Sequence, residues 1–157
     1  MVINLSVVIP TLNSERTIGV ALKALFKNVY PRDHFEVVVV DGGSCDKTLE
    51  IIMEFPVKVL TTKKKGAAAA RNLGIKNAKG KIICFTDSDC VVPKNWLSKI
   101  HRFFANNKNA DGVGGPILPY RHKNVNAIAT NNARIFLEMM RFPKKKEKSY
   151  IDSLWDH

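Results

Sequence analysis

Four short runs rich in β-branched residues, INLSVVI (3–9), FEVVVV (35–40), VKVLT (57–61) and KIICFT (81–86), alternate with helix-period segments, and this alternation constrains the fold more than any other feature. A fifth run, DGVGG (111–115), is much weaker. Ile18, Ala21, Leu22, Leu25 and Phe26 recur at three and four residues behind an expected Asn13-Ser14 cap, and Trp96, Leu97, Ile100, Phe103 and Phe104 do so after Pro93. Further helices fit 46–54, opened by Asp46, and 66–78, closed by Gly80; another fits 125–141. Strand followed by helix, repeated, implies right-handed crossovers and an α/β fold: a doubly wound, mostly parallel sheet with helices on both faces.

A chain of 157 residues can bury one sizeable core. The N-terminus carries no basic leader and no run is long enough to span a bilayer, so a cytoplasmic location is expected. Cys45, Cys84 and Cys90 form no CxxC pair and fit free thiols in a reducing compartment. The formal charge of +11 favours anionic partners, with lysines gathered at 63–65 and 144–148. No aromatic residues interleave with those runs, which argues against nucleic acid. The basic tail and the amphipathic stretch 126–142 permit peripheral docking at the inner face of a membrane, although packing across the sheet is the favoured use for that stretch.

In such a sheet, ligands bind outside the carboxyl ends of the strands. The loops there are PTLNSE (10–15), DGGSCD (41–46), TKKKG (62–66) and DSDC (87–90). Asp87 and Asp89 end an apolar strand, and a carboxylate leaves water only at a cost of several kcal/mol, roughly, unless it is paired or metal-bound. Positions two apart in an extended chain face one side, so the two could converge on one cation; the stretch also reads as a polar turn before the next helix. Asp41, before Gly42-Gly43, could accept a hydrogen bond from a base or open a Gly-rich turn, with Ser44 or Asp46 capping the following helix. Arg71, in GAAAARNLG (66–74), suits phosphate oxygens by its planar fork, or faces solvent; the alanines allow close approach of a ligand or of the sheet. Neither a Walker pattern nor GxGxxG is present.

Taken together and in order, VVIPTLNSE, VVVVDGGSCDKT, KGAAAARNLGIKNAKG and FTDSDC resemble the family 2 glycosyltransferases and their GT-A, Rossmann-like fold, over residues 3–118. The resemblance implies a nucleotide-diphosphate sugar as donor, usually UDP-linked, and an acceptor glycan or lipid-linked acceptor. It puts Pro10 and Thr11 in the base pocket, Glu15 near the nucleoside, Asp41 on the base and Arg71 near the base or phosphates. It sets Asp87 by the ribose, Ser88 beside it, and Asp89 on a divalent Mn²⁺ or Mg²⁺ that neutralises the leaving diphosphate. Residues 112–120 would line the donor sugar or the acceptor entrance. The general base that an inverting transferase needs has no clear counterpart; Glu138, Glu147, Asp152 and Asp156 are the carboxylates beyond the DXD stretch considered for it. The expectation is a nucleotide-sugar-binding domain at 1–120 and an incomplete acceptor-side segment with a basic tail at 121–157, the chain being a fragment or shortened form. A nucleotide-sugar-binding module without transfer, and a sugar-phosphate nucleotidyltransferase, stand as alternatives.

Overall fold

The computed structural model describes residues 3–115 and the strand at 139–141. Along the chain run β1 (Leu5–Thr11), α1 (Ile18–Phe26), a 3₁₀ turn (Arg32–His34), β2 (Phe35–Asp41), α2 (Thr48–Met53) and β3 (Lys58–Thr61). Then come α3 (Ala67–Asn77), β4 (Ile82–Phe85), α4 (Trp96–Asn106), β5 (Gly112–Val113) and β6 (Met139–Arg141). The sheet order is β3-β2-β1-β4-β6-β5. The first four strands in the chain are mutually parallel, and β6 runs antiparallel between β4 and β5. The expected doubly wound α/β sheet is therefore present.

Strand periodicity explains why helices cover both faces. Residues two apart point the same way, so Leu5, Val7, Ile9, Val37, Val39, Ile82 and Cys84 share one face with Ile18, Leu22 and Leu25 of α1, Ile52 of α2, and Leu97, Ile100 and Phe104 of α4. Val8, Val38, Val40, Ile83 and Phe85 face the other way, against Ala70 and Ile75 of α3. Gly74 sets how closely α3 lies on the sheet, because a Cβ there would come within 2.3 Å of Val8 Cγ1. The small residues of this helix thus serve tight packing, one of the two uses the sequence allowed.

Three local expectations are corrected. The helix expected over 125–141 does not reach its end, since Met139–Arg141 is a strand paired through Ile82↔Arg141 and Ile83↔Met140. That pairing satisfies the outer edge of β4, a backbone demand that overrides local periodicity. Helix α1 starts at Ile18 with Thr17 as cap, not at an Asn13-Ser14 cap: Asn13 adopts φ +48°, and Ser14 receives Thr17 N–H and Ile18 N–H on its carbonyl while its hydroxyl meets Leu12 and Ser88 rather than a helix amide. Helix α2 starts at Thr48 rather than Asp46, whose carboxylate instead accepts the Thr48 amide just ahead of it.

At the amino edge of the sheet, the Arg32 guanidinium lies 4.8 Å from the ring centres of both Phe26 and Phe35. It also donates to the carbonyls of Phe35 (2.9 Å) and Pro56 (2.8 Å). Phe55 stacks on Phe26 with ring centres 5.9 Å apart. Among the described residues no helix is long and apolar enough to cross a membrane, and all three cysteines are free. The expected domain boundary near residue 120, the basic tail, and Glu138, Glu147, Asp152 and Asp156 lie outside the described residues.

Candidate functional site

The loops leaving the carboxyl ends of β1, β2 and β4 and the start of α3 enclose a cavity of about 920 Å³. Pro10, Thr11, Glu15, Arg71, Asp87, Ser88 and Asp89 all line it, so seven of the eight site residues expected from sequence come together. Asp41 is the exception. It is 1% exposed, and its neighbour Gly42 lines the cavity in its place. The Asp41 carboxylate accepts the amides of Gly43 and Ser44, both at 3.0 Å, and the Ser44 hydroxyl. This is the Gly-rich turn reading of that stretch, and it leaves one of about four lone-pair sites for any further donor.

The first wall is built from loops 12–17 and 42–48, cross-linked by short polar side chains. Asn13 N–H donates to Ser44 Oγ at 2.8 Å while Cys45 N–H donates to Asn13 Oδ1 at 2.9 Å. Glu15 and Asp46 make a second reciprocal pair: Glu15 N–H donates to Asp46 Oδ2 and Lys47 N–H to Glu15 Oε2, both at 3.1 Å. Ser14 N–H donates to Thr48 Oγ1 at 2.7 Å, and the Thr48 hydroxyl donates a hydrogen bond to Asp46 Oδ1. Desolvation works to raise the Asp46 pKa, but the bonds from the Thr48 hydroxyl and from the Glu15 and Thr48 amides outweigh it and hold the carboxyl below its ordinary range.

The opposite wall is the first turn of α3. Gly66, at φ +99°, lets the chain enter the helix without a side-chain cap, and Lys65, Gly66, Ala67, Ala70 and Arg71 line the cavity. Arg71 Nη2 donates to Asp87 Oδ1 at 2.6 Å, tying this wall to the turn after β4. Four donors of its guanidinium are left for other partners or ligand oxygens.

The turn at 87–90 forms the floor. Carboxylate oxygens of Asp87 and Asp89 and the Cys90 sulfur lie within 4.8 Å of one another. Burial, joined by the charges of Asp89 and Asp87, pushes the Cys90 thiol above its ordinary range, so it sits there as a protonated soft group. The two carboxylates are the hard oxygen donors that Mn²⁺ or Mg²⁺ takes, and Asp89 is exposed to receive it. The donor set fits such an ion through Asp89 and the Asp87 oxygen that Arg71 leaves open. Thr11 Oγ1 adds a buried hydroxyl at the cavity wall with no partner among the described residues.

Sequence reasoning named the loops 10–15 and 41–46 but gave Leu12, Asn13, Ser14 and Asp46 no individual place in the site, and it missed Arg16 and Thr17 as cavity-lining residues. A signal was available: Asn, Ser, Asp and Thr crowded into two loops at one sheet edge are the side chains that bond nearby backbone amides.

Comparison with known proteins places this arrangement. Glycosyltransferase AglE of Haloferax volcanii is 37% identical over 100 residues, which are 60% of this chain and 33% of AglE. TarS of Staphylococcus aureus, a poly(ribitol-phosphate) beta-N-acetylglucosaminyltransferase, is 38% identical over 104 residues, 62% of this chain and 18% of TarS. Its structure with UDP-GlcNAc matches at TM-score 0.65 and 33% identity, over 75% of this chain and 37% of the TarS chain. Mannosyltransferase PcManGT of Pyrobaculum calidifontis, solved with GDP-Man and Mn²⁺, matches at TM-score 0.67 and 26% identity, over 76% of this chain and 36% of that one. The chain thus spans well under half the length of these relatives. The family model described as glycosyl transferase family 2 matches residues 6–155, nearly the whole chain, and the sheet matches the GT-A fold of these structures, so the chain belongs to that family.

Proposed function

We propose that the described residues form the donor side of a metal-dependent, inverting glycosyltransferase that takes a nucleotide-diphosphate sugar, UDP-linked, and transfers the sugar to a glycan or lipid-linked acceptor. The observation that carries this reading is the convergence of Asp87, Asp89 and Arg71 on one cavity at the carboxyl edge of a parallel sheet. Carboxylates and a guanidinium side by side suit a ligand that is itself an anion bound to a cation. TarS with UDP-GlcNAc and PcManGT with GDP-Man and Mn²⁺ support the ligand class.

In this reading Pro10, Thr11 and Glu15 line the nucleoside end. Thr11 offers its unpartnered hydroxyl, and Asp41 offers its remaining lone pair to the base. Asp87 lies by the ribose with Arg71 beside it. The remaining Arg71 donors meet developing charge on the diphosphate. Asp89, with Asp87, holds Mn²⁺ or Mg²⁺, whose chemistry is to stabilise the leaving diphosphate without a proton. Glu15 and Asp46 are occupied in holding loop amides, and Asp87 and Asp89 belong to the cation. No carboxylate that lines the cavity is then left to deprotonate the acceptor, and the general base stays unassigned; rapid transfer by residues 1–157 alone would make Asp152 and Asp156 the first to substitute. Peripheral contact with a membrane surface belongs to the same reading, through the basic segment at 144–148.

Calorimetric titration with UDP, GDP, their sugar conjugates and UTP, in Mn²⁺, Mg²⁺ and EDTA, tests the proposal. Uridine diphosphates should bind best, and more tightly with metal. Pyrophosphate release from UTP and a sugar phosphate would contradict it in favour of a nucleotidyltransferase.

A further inference from the structure

Ser88 sits between the two carboxylates of the cavity floor, and its hydroxyl lies 2.9 Å from that of Ser14, 74 positions earlier in the chain. Either hydroxyl can donate in this bond; when the Ser14 hydroxyl turns to the Leu12 carbonyl at 3.2 Å, Ser88 is the donor. The Ser14 amide in turn donates to Thr48 Oγ1, and the Thr48 hydroxyl to Asp46. A continuous set of bonds therefore runs from the metal-side turn, through Ser14, into the doubly linked loops of the nucleoside wall.

Among the described residues the floor turn has few other restraints. Arg71 holds Asp87, and Cys90 N–H donates to the Asp87 carbonyl at 3.1 Å. Among the described residues the Asp89 side chain meets only the weak Cys90 thiol contact at 3.8 Å. Pinning Ser88 from the far loop thus fixes the backbone from which the Asp89 carboxylate projects.

We propose that the Ser14–Ser88 hydroxyl pair is a positioning clasp that couples nucleoside-diphosphate binding to divalent-cation binding. Ser14 and Ser88 are positioning residues here: they act through Asp89 and need not touch the cation. The inference rests on the donor reading given above. Coupling of this kind is reciprocal, so a clasp that helps the cation bind beside the nucleotide helps the nucleotide bind beside the cation.

The experiment is calorimetric titration of UDP into the full chain in saturating Mn²⁺ and in EDTA, for wild type, Ser14→Ala, Ser88→Ala, the double variant and Ser14→Thr. Circular dichroism checks that each is folded. Removing one neutral hydrogen bond should cut the Mn²⁺-dependent gain, the ratio of UDP affinity in Mn²⁺ to that in EDTA, by about three- to tenfold, whatever the variant does to affinity in EDTA. The double variant should match either single one, because all three remove the same bond, and Ser14→Thr should restore the gain. Losses that multiply in the double variant, or an equal loss in EDTA and Mn²⁺, would overturn the clasp. So would an undiminished Mn²⁺ gain in Ser14→Ala. If wild type itself shows no Mn²⁺-dependent gain, the donor reading falls and the clasp with it, which separates the two failures.

Discussion

The two edges of the sheet hold their loops by different physics. At the amino edge, Arg32 lies against Phe26 and Phe35 and donates to two carbonyls, while Phe55 stacks on Phe26. Apolar area and cation–π contact hold that edge together. At the carboxyl edge, Asn13, Ser14, Glu15, Ser44, Asp46 and Thr48 hold the loops with hydrogen bonds. Much of that set is exposed, and exposed bonds exchange with water, so they add little net stability but do fix geometry. One edge is built to stay folded, and the other to keep a cavity open and in shape.

The substitution with the largest expected effect should break this division. Asp41 belongs to the carboxyl edge yet is buried with three donors on its carboxylate. Asp41→Ala should lower unfolding free energy by roughly 2–3 kcal/mol, measured by urea denaturation, because donors to a charged group lose their partner inside the protein. UDP affinity should fall as well. Asp41→Asn, which keeps an acceptor, should fall between. A mutant of wild-type stability would remove Asp41 from the turn's support.

Arg32→Ala should show the opposite profile. Its guanidinium is exposed, so a loss of about 1–2 kcal/mol in urea is expected from two hydrogen bonds and two ring contacts. UDP affinity should stay within about twofold of wild type. A larger change in nucleotide binding would mean that the two edges are not independent.

A smaller effect is expected from Arg71→Lys, which keeps the charge but loses the fork that can hold Asp87 and a ligand together. UDP affinity should fall about three- to tenfold with stability little changed.

The smallest effect is read by pH. The hydrogen bonds on Asp46 hold its carboxyl below the ordinary value of 3.8, so the bonds are complete above that value and are lost as pH falls through the lower folded value. The amide NMR signals of Glu15 and Thr48 should move together below about pH 4, and Asp46→Asn should abolish the shared titration.

The fold was readable in the sequence wherever local chemistry decides it. Valine and isoleucine runs marked β1 to β4, and the spacing of Ile18, Leu22 and Leu25 marked α1. Where pairing is between distant parts of the chain, local pattern misled, as for Met139–Arg141, whose strand state is set by Ile82 and Ile83. The site was legible in its residue types because carboxylates at a strand end must meet solvent or a cation. One thing was left open: whether Asp41 faces a base or its own turn depends on the backbone path after it, which sets where its oxygens reach. Another was hidden. The bond between Ser14 and Ser88 depends on two loops meeting, which no single stretch encodes.

The account's central claim is that Asp89 anchors a divalent cation against a nucleoside diphosphate in this cavity. UDP titrated into wild type and Asp89→Ala, each with Mn²⁺ and with EDTA, tests it most directly. Wild type should bind UDP at least about tenfold more tightly in Mn²⁺ than in EDTA, whereas Asp89→Ala should bind it equally and weakly in both. An Mn²⁺ enhancement of the same size in the folded Asp89→Ala variant would contradict the claim and leave residues 87–90 as a polar turn.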